Sequence, residues 1–444
     1  MLVCSSQGSK RCREIENFIH SRACASEKRD QLLEMIKGVL TSVALSATFL
    51  SAADWTQWRG PTRDGKVHKD ASPWPTTLSK ENLKLLWSVD LAEGYSSPIV
   101  AGSKVFTVET KAKKTEIVRA FDRKTGKQVW DNDWAGSMRV PFYAAKNGSW
   151  VRCTPATDGK TLFVGGMRDV LIAIDTETGK EKWRRDYPSE EKTPLPSFGF
   201  VSSPLLDDDH IYVQVGTALR KINKSDGKTV WQAMADERAM FGSAFSSPFR
   251  ATIQDVDQIL VQTRSTLGGI LPSNGKAVWA TPVKAFRGMN ILPPTPVGDK
   301  IFTATYGGGS FLYDIAKKDK FLAATQLWND TKREGYMSSP VVIDGKIYLH
   351  GRDKRFHCLD PESGKTLWSS DDKFGEYCSM VTQGNHILAL DQRGILLHID
   401  ANPKSFKLLS AVKLETPATW AHLAVCGDEL YVRHLKGLNV YRWK

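Results

Sequence analysis

Ala120-Phe121-Asp122-Arg123-Lys124-Thr125-Gly126-Lys127-Gln128-Val129-Trp130 is the stretch from which the rest of the chain can be read. A small apolar strand ends at Asp122, a turn closes on Gly126-Lys127, and a second strand opens toward Trp130. Glycine supplies the positive φ that such a turn needs. The tryptophan offers a large flat surface for packing. The phrase returns as Ala173-Ile174-Asp175 with Gly179-Lys180 and Trp183, and as Lys221-Ile222-Asn223 with Gly227-Lys228 and Trp231. Leu359-Asp360 with Gly364-Lys365 and Trp368 is a full copy, and Asn274-Gly275-Lys276 with Trp279 is a shorter one. Tyr313-Asp314 with Trp328 lacks the Gly-Lys turn.

A second phrase precedes each copy: two small residues and Pro, opening an apolar strand. It reads Ser96-Ser97-Pro98, Cys153-Thr154-Pro155, Ser202-Ser203-Pro204, Ser246-Ser247-Pro248, Pro294-Thr295-Pro296 and Ser338-Ser339-Pro340. Cys378-Ser379-Met380 and Ala421-His422-Leu423 are weaker versions. A third strand lies between the phrases, as in Thr161-Leu162-Phe163-Val164 and His210-Ile211-Tyr212-Val213. Four short strands at a period of about 40–50 residues predict propeller blades and not helical repeats. The small residues fit an inner strand, where blades crowd the axis.

The outer-strand anchors are Trp87, Trp130, Trp183, Trp231, Trp279, Trp328 and Trp368, with Leu408 in the last position. They predict an all-β, eight-bladed propeller of four-stranded antiparallel blades. Leu85-Leu86-Trp87 has no strands before it, and Leu438-Asn439-Val440-Tyr441 has no outer strand after it. The two ends therefore complete one blade and close the ring, which removes the bare sheet edges.

The repeated phrase resembles the tryptophan-docking motif of propellers similar to those of pyrroloquinoline-quinone (PQQ) enzymes. That family includes the quinoprotein alcohol dehydrogenases and the propeller lipoprotein of the outer-membrane β-barrel assembly machine. The resemblance spans residues 84–444. Asp54-Trp55-Thr56-Gln57-Trp58-Arg59-Gly60-Pro61 is similar to the start of many exported bacterial members. It predicts a strap, residues 54–83, that packs its two tryptophans on the propeller. The enzyme branch carries adjacent cysteines over the quinone, a Glu/Asn/Asp set for calcium and a haem motif. This chain has no Cys-Cys pair and no matching set, and its cysteine spacing fits no zinc or haem motif. No catalytic residue, metal ligand or cofactor is predicted; PQQ with calcium is the disfavoured alternative.

At the N-terminus, Met35-Ile36-Lys37 and an apolar run from Gly38 to Leu50, then Ser51-Ala52-Ala53, read as a signal peptide over residues 35–53. The run is short for a membrane span. Residues 1–34 read as a disordered, over-extended gene start, which leaves Met1 or Met35 as the true beginning. No Cys follows the cut, so export to the periplasm or beyond without a lipid anchor is expected. Of the seven cysteines, Cys153, Cys358, Cys378 and Cys426 lie in the mature part. All four are expected within strands of different blades as buried thiols.

With 41% hydrophobic and 25% charged residues the chain has an ordinary globular balance, and its formal charge of +12 favours anionic partners. Export disfavours nucleic acid. The loops on one propeller face are repeatedly basic, and the residue before the small-small-Pro phrase is often aromatic or long. The predicted ligand rim is Tyr95, Arg152, Arg168, Phe245, Arg264, Arg352, Tyr377, Arg393, Trp420 and Arg433. A basic rim around an aromatic throat suits an anionic envelope ligand or an acidic protein segment. The expected function is an exported, monomeric, non-enzymatic binding or scaffold propeller. The alternative is a PQQ-type oxidoreductase or a carbohydrate-active propeller.

Overall fold

The computed structural model describes residues 54–444, save 69–70, 137, 237–243, 319–320, 416 and 444. The leader and signal-peptide expectations for residues 1–53 lie outside the described residues. Among the described residues, eight four-stranded antiparallel sheets follow one another. The first seven blades span residues 99–135, 156–186, 205–233, 249–282, 295–330, 341–369 and 378–413. The eighth joins residues 424–443 to the N-terminal strand Leu83–Asp90, which pairs antiparallel with Gly437–Trp443 as the outermost strand. Helix among the described residues is short, as in the 3-10 helix Phe142–Asn147 and the turn Tyr187–Glu191, where the Asp186 side chain accepts from Ser189 N.

Burial follows position in the blade. In the second blade, Thr161–Gly166 is buried throughout and Val170–Asp175 nearly so, whereas the outer strand Glu181–Asp186 has no buried residue. Middle strands are covered on both faces by neighbouring blades, so their sequence is continuously apolar and does not alternate.

The outer turn and the tryptophan are two halves of one joint. Asp122 Oδ1 accepts from Thr125 N at 2.8 Å and Thr125 Oγ1 at 2.7 Å, and Gly126 N donates to Asp122 O at 2.9 Å. Trp87 of the preceding blade lies on that turn, its Nε1 donating to Arg123 O at 2.9 Å. Trp130 does the same to Thr176 O, Trp183 to Lys224 O, Trp231 to Pro272 O, Trp328 to Pro361 O and Trp368 to Asn402 O. The aim is set by a β-bulge at the residue before each tryptophan. Ala120 pairs with Trp130 and Phe121 with Gln128, which leaves Val129 as the extra residue. The extra residue turns the following side chain toward the next blade. It also explains why Val129, Val230, Leu327 and Leu367 are exposed next to buried or half-buried indoles.

Two anchors depart from this joint. Trp279 faces the fifth blade, whose long strands Gly309–Lys318 and Phe321–Asp330 carry no Asp…Gly-Lys turn. Its Nε1 donates instead to Gln258 Oε1 of its own blade at 2.6 Å. Leu408 replaces tryptophan in the seventh blade because the eighth blade is made from the two chain ends and has no such turn. Tyr306-Gly307-Gly308-Gly309 forms the hairpin between the fifth blade's second and third strands.

A collar of hydroxyls explains the small-small-Pro phrase. His422 N donates to Ser97 Oγ at 2.7 Å, Ser97 N to Thr154 Oγ1 at 3.1 Å, Thr154 N to Ser203 Oγ at 3.1 Å and Ser203 N to Ser247 Oγ at 2.9 Å. Each hydroxyl satisfies a buried amide of the adjacent blade, a group that would otherwise cost about 1–3 kcal/mol.

Cys153, Cys358, Cys378 and Cys426 are buried free thiols on different blades. Cys153 corrects the expectation of a strand position, since it precedes the strand Ala156–Thr157. Burial pushes the Cys153 thiol up to about 12 and Cys358 to about 11, which makes both poor nucleophiles.

Candidate functional site at the channel mouth

The strap runs into the axis and does more than pack its tryptophans. Trp55 is buried and pairs with Val100, and Gly60 lies against its ring. Arg59 and Arg63 are buried among the inner strands. Arg63 donates to Pro248 O at 3.1 Å, Pro204 O at 2.5 Å, Ser203 O at 3.0 Å and Gln57 Oε1 at 3.4 Å. Arg59 donates to Pro340 O at 2.5 Å and Asp64 O at 3.0 Å. These acceptors are neutral. Burial accordingly pulls Arg59 down to about 10 and Arg63 to about 9, still protonated at neutral pH.

Above these arginines lies a cavity of about 160 Å³. The strap contributes Trp58, with the Arg59 and Arg63 guanidiniums each 5.6 Å from its ring centre. The structure brings Tyr95, Arg152, Phe245, Tyr377 and Trp420 together around this cavity. Tyr377 stacks on Trp420 at 6.0 Å, and Trp420 meets Tyr95 at 5.8 Å. The Arg152 guanidinium lies 5.1 Å from the Tyr95 ring, and its Nη2 donates to Gly148 O at 2.8 Å. Burial pushes the Tyr95 phenol up to about 12 and lowers Arg152 from the usual arginine range. Ser97, Thr154, Ser203, Ser247 and His422 complete much of the wall.

The other rim arginines are not brought to the cavity. Arg264 pairs with Asp236 at 3.7 Å, and Arg393 with Asp391 at 2.6 Å. Arg352 pairs with Glu334 at 2.7 Å and lies 4.2 Å over the Tyr306 ring. Arg168 is exposed on its own loop. Arg433 requires correction: it is buried and donates to Ala92 O at 2.5 Å, to Gly437 O at 3.2 Å and to His434 O. It ties loops together beneath the surface, so it cannot belong to a rim.

A second cavity of about 300 Å³ shares Phe245 with the first. Phe198, Phe286, Tyr306, Tyr336 and Tyr143 line it, beside Lys146 and Arg287. Rings run outward from it: Phe245 meets Phe198 at 5.3 Å, Phe198 meets Tyr143 at 6.4 Å, and Tyr143 meets Phe142 at 5.6 Å. Phe142 is 91% exposed, Phe286 50% and Tyr143 47%. Sequence reasoning missed this apron. The signal was an adjacent Phe142-Tyr143 pair between two blades, at the start of the 3-10 helix Phe142–Asn147, where sheet formation did not need it.

A calcium-held quinone does not fit these residues. Among the described residues, none of the side chains lining the channel-mouth cavity is a carboxylate. Among the described residues no group of three or more His, Cys, Asp or Glu is placed to hold a metal ion. His350 meets Ser338, His357 meets Asp353 and Ser369, and His398 meets His386.

A family profile described as "Outer membrane protein assembly factor BamB" matches residues 113–370, more than half of the chain. The chain belongs to this family. An Outer membrane protein assembly factor BamB of Yersinia pestis is 23% identical over 380 residues, covering 82% of this chain and 90% of that protein. The crystal structure of BamB from Moraxella catarrhalis superposes with a TM-score of 0.59 at 16% identity, covering 82% of this chain and 98% of that one. A europium-containing methanol dehydrogenase superposes with a TM-score of 0.57 at 16% identity over 86% and 90%. The BamB family and the quinoprotein dehydrogenases thus share this fold. Among the described residues no helix is long and apolar enough to cross a membrane.

Proposed function

We propose that this chain is a non-enzymatic scaffold propeller of the cell envelope that docks a protein partner on the loop face around the channel mouth. The observation that carries the reading is the aromatic apron of Phe142, Tyr143 and Phe286 beside an open 300 Å³ cavity. Exposed aromatic rings at a concave site are where interfaces concentrate their binding energy. Lys146 and Arg287 at the same cavity, and a net charge of +12, favour a partner with an acidic segment. Family membership supports the scaffold role, as does a relative named as an assembly factor and matched over 90% of its length. Export through residues 35–53 belongs to the same proposal.

A photo-crosslinking residue placed at Phe142 or Phe286 tests the reading in envelope extract. One common product from both positions, and none from the outer-rim position Val230, is expected. Equal labelling at Val230, or no product at either apron position, overturns it.

A further inference from the structure

The channel-mouth cavity has a chemistry of its own, separate from the apron. His422 lines it and is 4% exposed. Its Nδ1 lies 3.0 Å from Leu423 O. A carbonyl oxygen only accepts, so Nδ1 carries the ring proton and Nε2 presents a lone pair. That Nε2 has no hydrogen-bond partner among the described residues. Burial and nearby Arg59 hold the ring neutral, with its pKa near 3. A group that satisfies Nε2 must therefore donate, as a hydroxyl does.

Charge points the same way from a different observation. Among the described side chains lining the cavity, Arg152 alone is charged. Beneath Trp58 lie Arg59 and Arg63, whose hydrogen bonds go to carbonyl and amide oxygens. The Asp64 carboxylate acts on Arg59, but Arg63 is held by neutral acceptors, and a buried cation so held leaves a positive potential that a carboxylate would balance. The walls add a third requirement. Tyr95, Trp420, Tyr377 and Trp58 present ring surfaces, which suit an apolar C–H face. The volume, about 160 Å³, is that of a cavity that takes one six-membered ring.

We propose that the channel mouth binds a single acidic sugar ring, a uronate-type pyranose: its carboxylate toward Arg152, a hydroxyl donating to His422 Nε2, and its apolar face on the aromatic wall. The ring could be a free monosaccharide or the end of an acidic polysaccharide, and the chemistry of recognition is the same.

The test titrates the purified full chain with glucuronate, glucose and a glucuronate tetramer, read by calorimetry and by tryptophan fluorescence from Trp58 and Trp420. Saturable glucuronate binding is expected, with glucose at least about tenfold weaker, as one charge-assisted contact implies. Arg152→Gln should erase that preference in protein whose circular dichroism spectrum shows the β-fold intact. Trp420→Ala should weaken both sugars alike, and this keeps the test decisive if the arginine variant does not fold. Tighter binding of the tetramer supports a polysaccharide end, and equal binding supports the free sugar. Equal affinity for glucose and glucuronate, an unchanged preference in folded Arg152→Gln, or no response to either sugar overturns the inference. Crosslinking at the apron is read separately, so a captured partner with no uronate binding removes this inference alone.

Discussion

Gly179 lies flat beneath the indole of Trp130, so close that a Cβ built on it would sit 2.7 Å from the ring. The same glycine holds φ at +72°. Two constraints thus meet at one residue of the Asp…Gly-Lys turn, one from the turn and one from the adjacent blade. Gly102, at φ +56°, has nothing within 4 Å of its Cβ position. Gly102→Ala should therefore cost only the left-handed strain, about 1 kcal/mol. Gly179→Ala should cost about 2–4 kcal/mol by adding overpacking against Trp130. Urea unfolding of the two variants side by side checks the difference.

The collar makes a prediction at Ser203, whose Oγ accepts from Thr154 N. Ser203→Ala leaves that buried amide without its acceptor and should cost about 1–3 kcal/mol. Ser203→Thr keeps the hydroxyl and should hold most of that stability. Equal loss in both variants would show that side-chain volume, not the hydrogen bond, matters at the axis.

Arg63 joins the strap to the third and fourth blades through Ser203, Pro204 and Pro248 carbonyls. Arg63→Met removes the charge but strands those oxygens. A loss of about 2–4 kcal/mol is expected, with earlier proteolysis of residues 54–67 than of the blades. An unchanged digestion pattern would mean that Trp55 alone holds the strap.

Glu116 is buried, accepting from Trp134 Nε1 at 2.6 Å and from Met167 N at 3.0 Å. Burial raises its carboxyl from 4.5 to about 7 despite those bonds. Between these values the folded chain holds a proton that the unfolded chain has released. Its contribution to stability therefore falls as pH rises from about 4.5 and is fully lost above about 7. Glu116→Gln keeps an acceptor and removes the titration. From pH 5 to pH 8 the wild type should lose about 1–3 kcal/mol more than this variant. Parallel pH profiles of the urea midpoint would refute the assignment.

Much of the mouth was legible before folding. Tyr95, Arg152, Phe245, Tyr377 and Trp420 each stand just before an inner strand, and ring closure carries every such position to the axis. The other arginines could not be sorted this way. Arg264, Arg352 and Arg393 lie on the same kind of loop, yet each meets an acid. Arg433, on another, is drawn beneath the surface by backbone carbonyls. Their charge was visible and their partners were not.

The repeat, the blade number and the way the two chain ends join were all readable along the chain. The reason is local: the Asp…Gly-Lys turn and its tryptophan are spaced within one hairpin and recur once per blade. What fills the axis emerged only from the folded ring. Arg59 and Arg63 reach carbonyls 140 to 281 residues away, and Trp58 comes from the strap to meet His422 of the last blade at 6.1 Å. Such partners have no fixed spacing along the chain, because closing a ring brings together residues that only the complete circle makes neighbours.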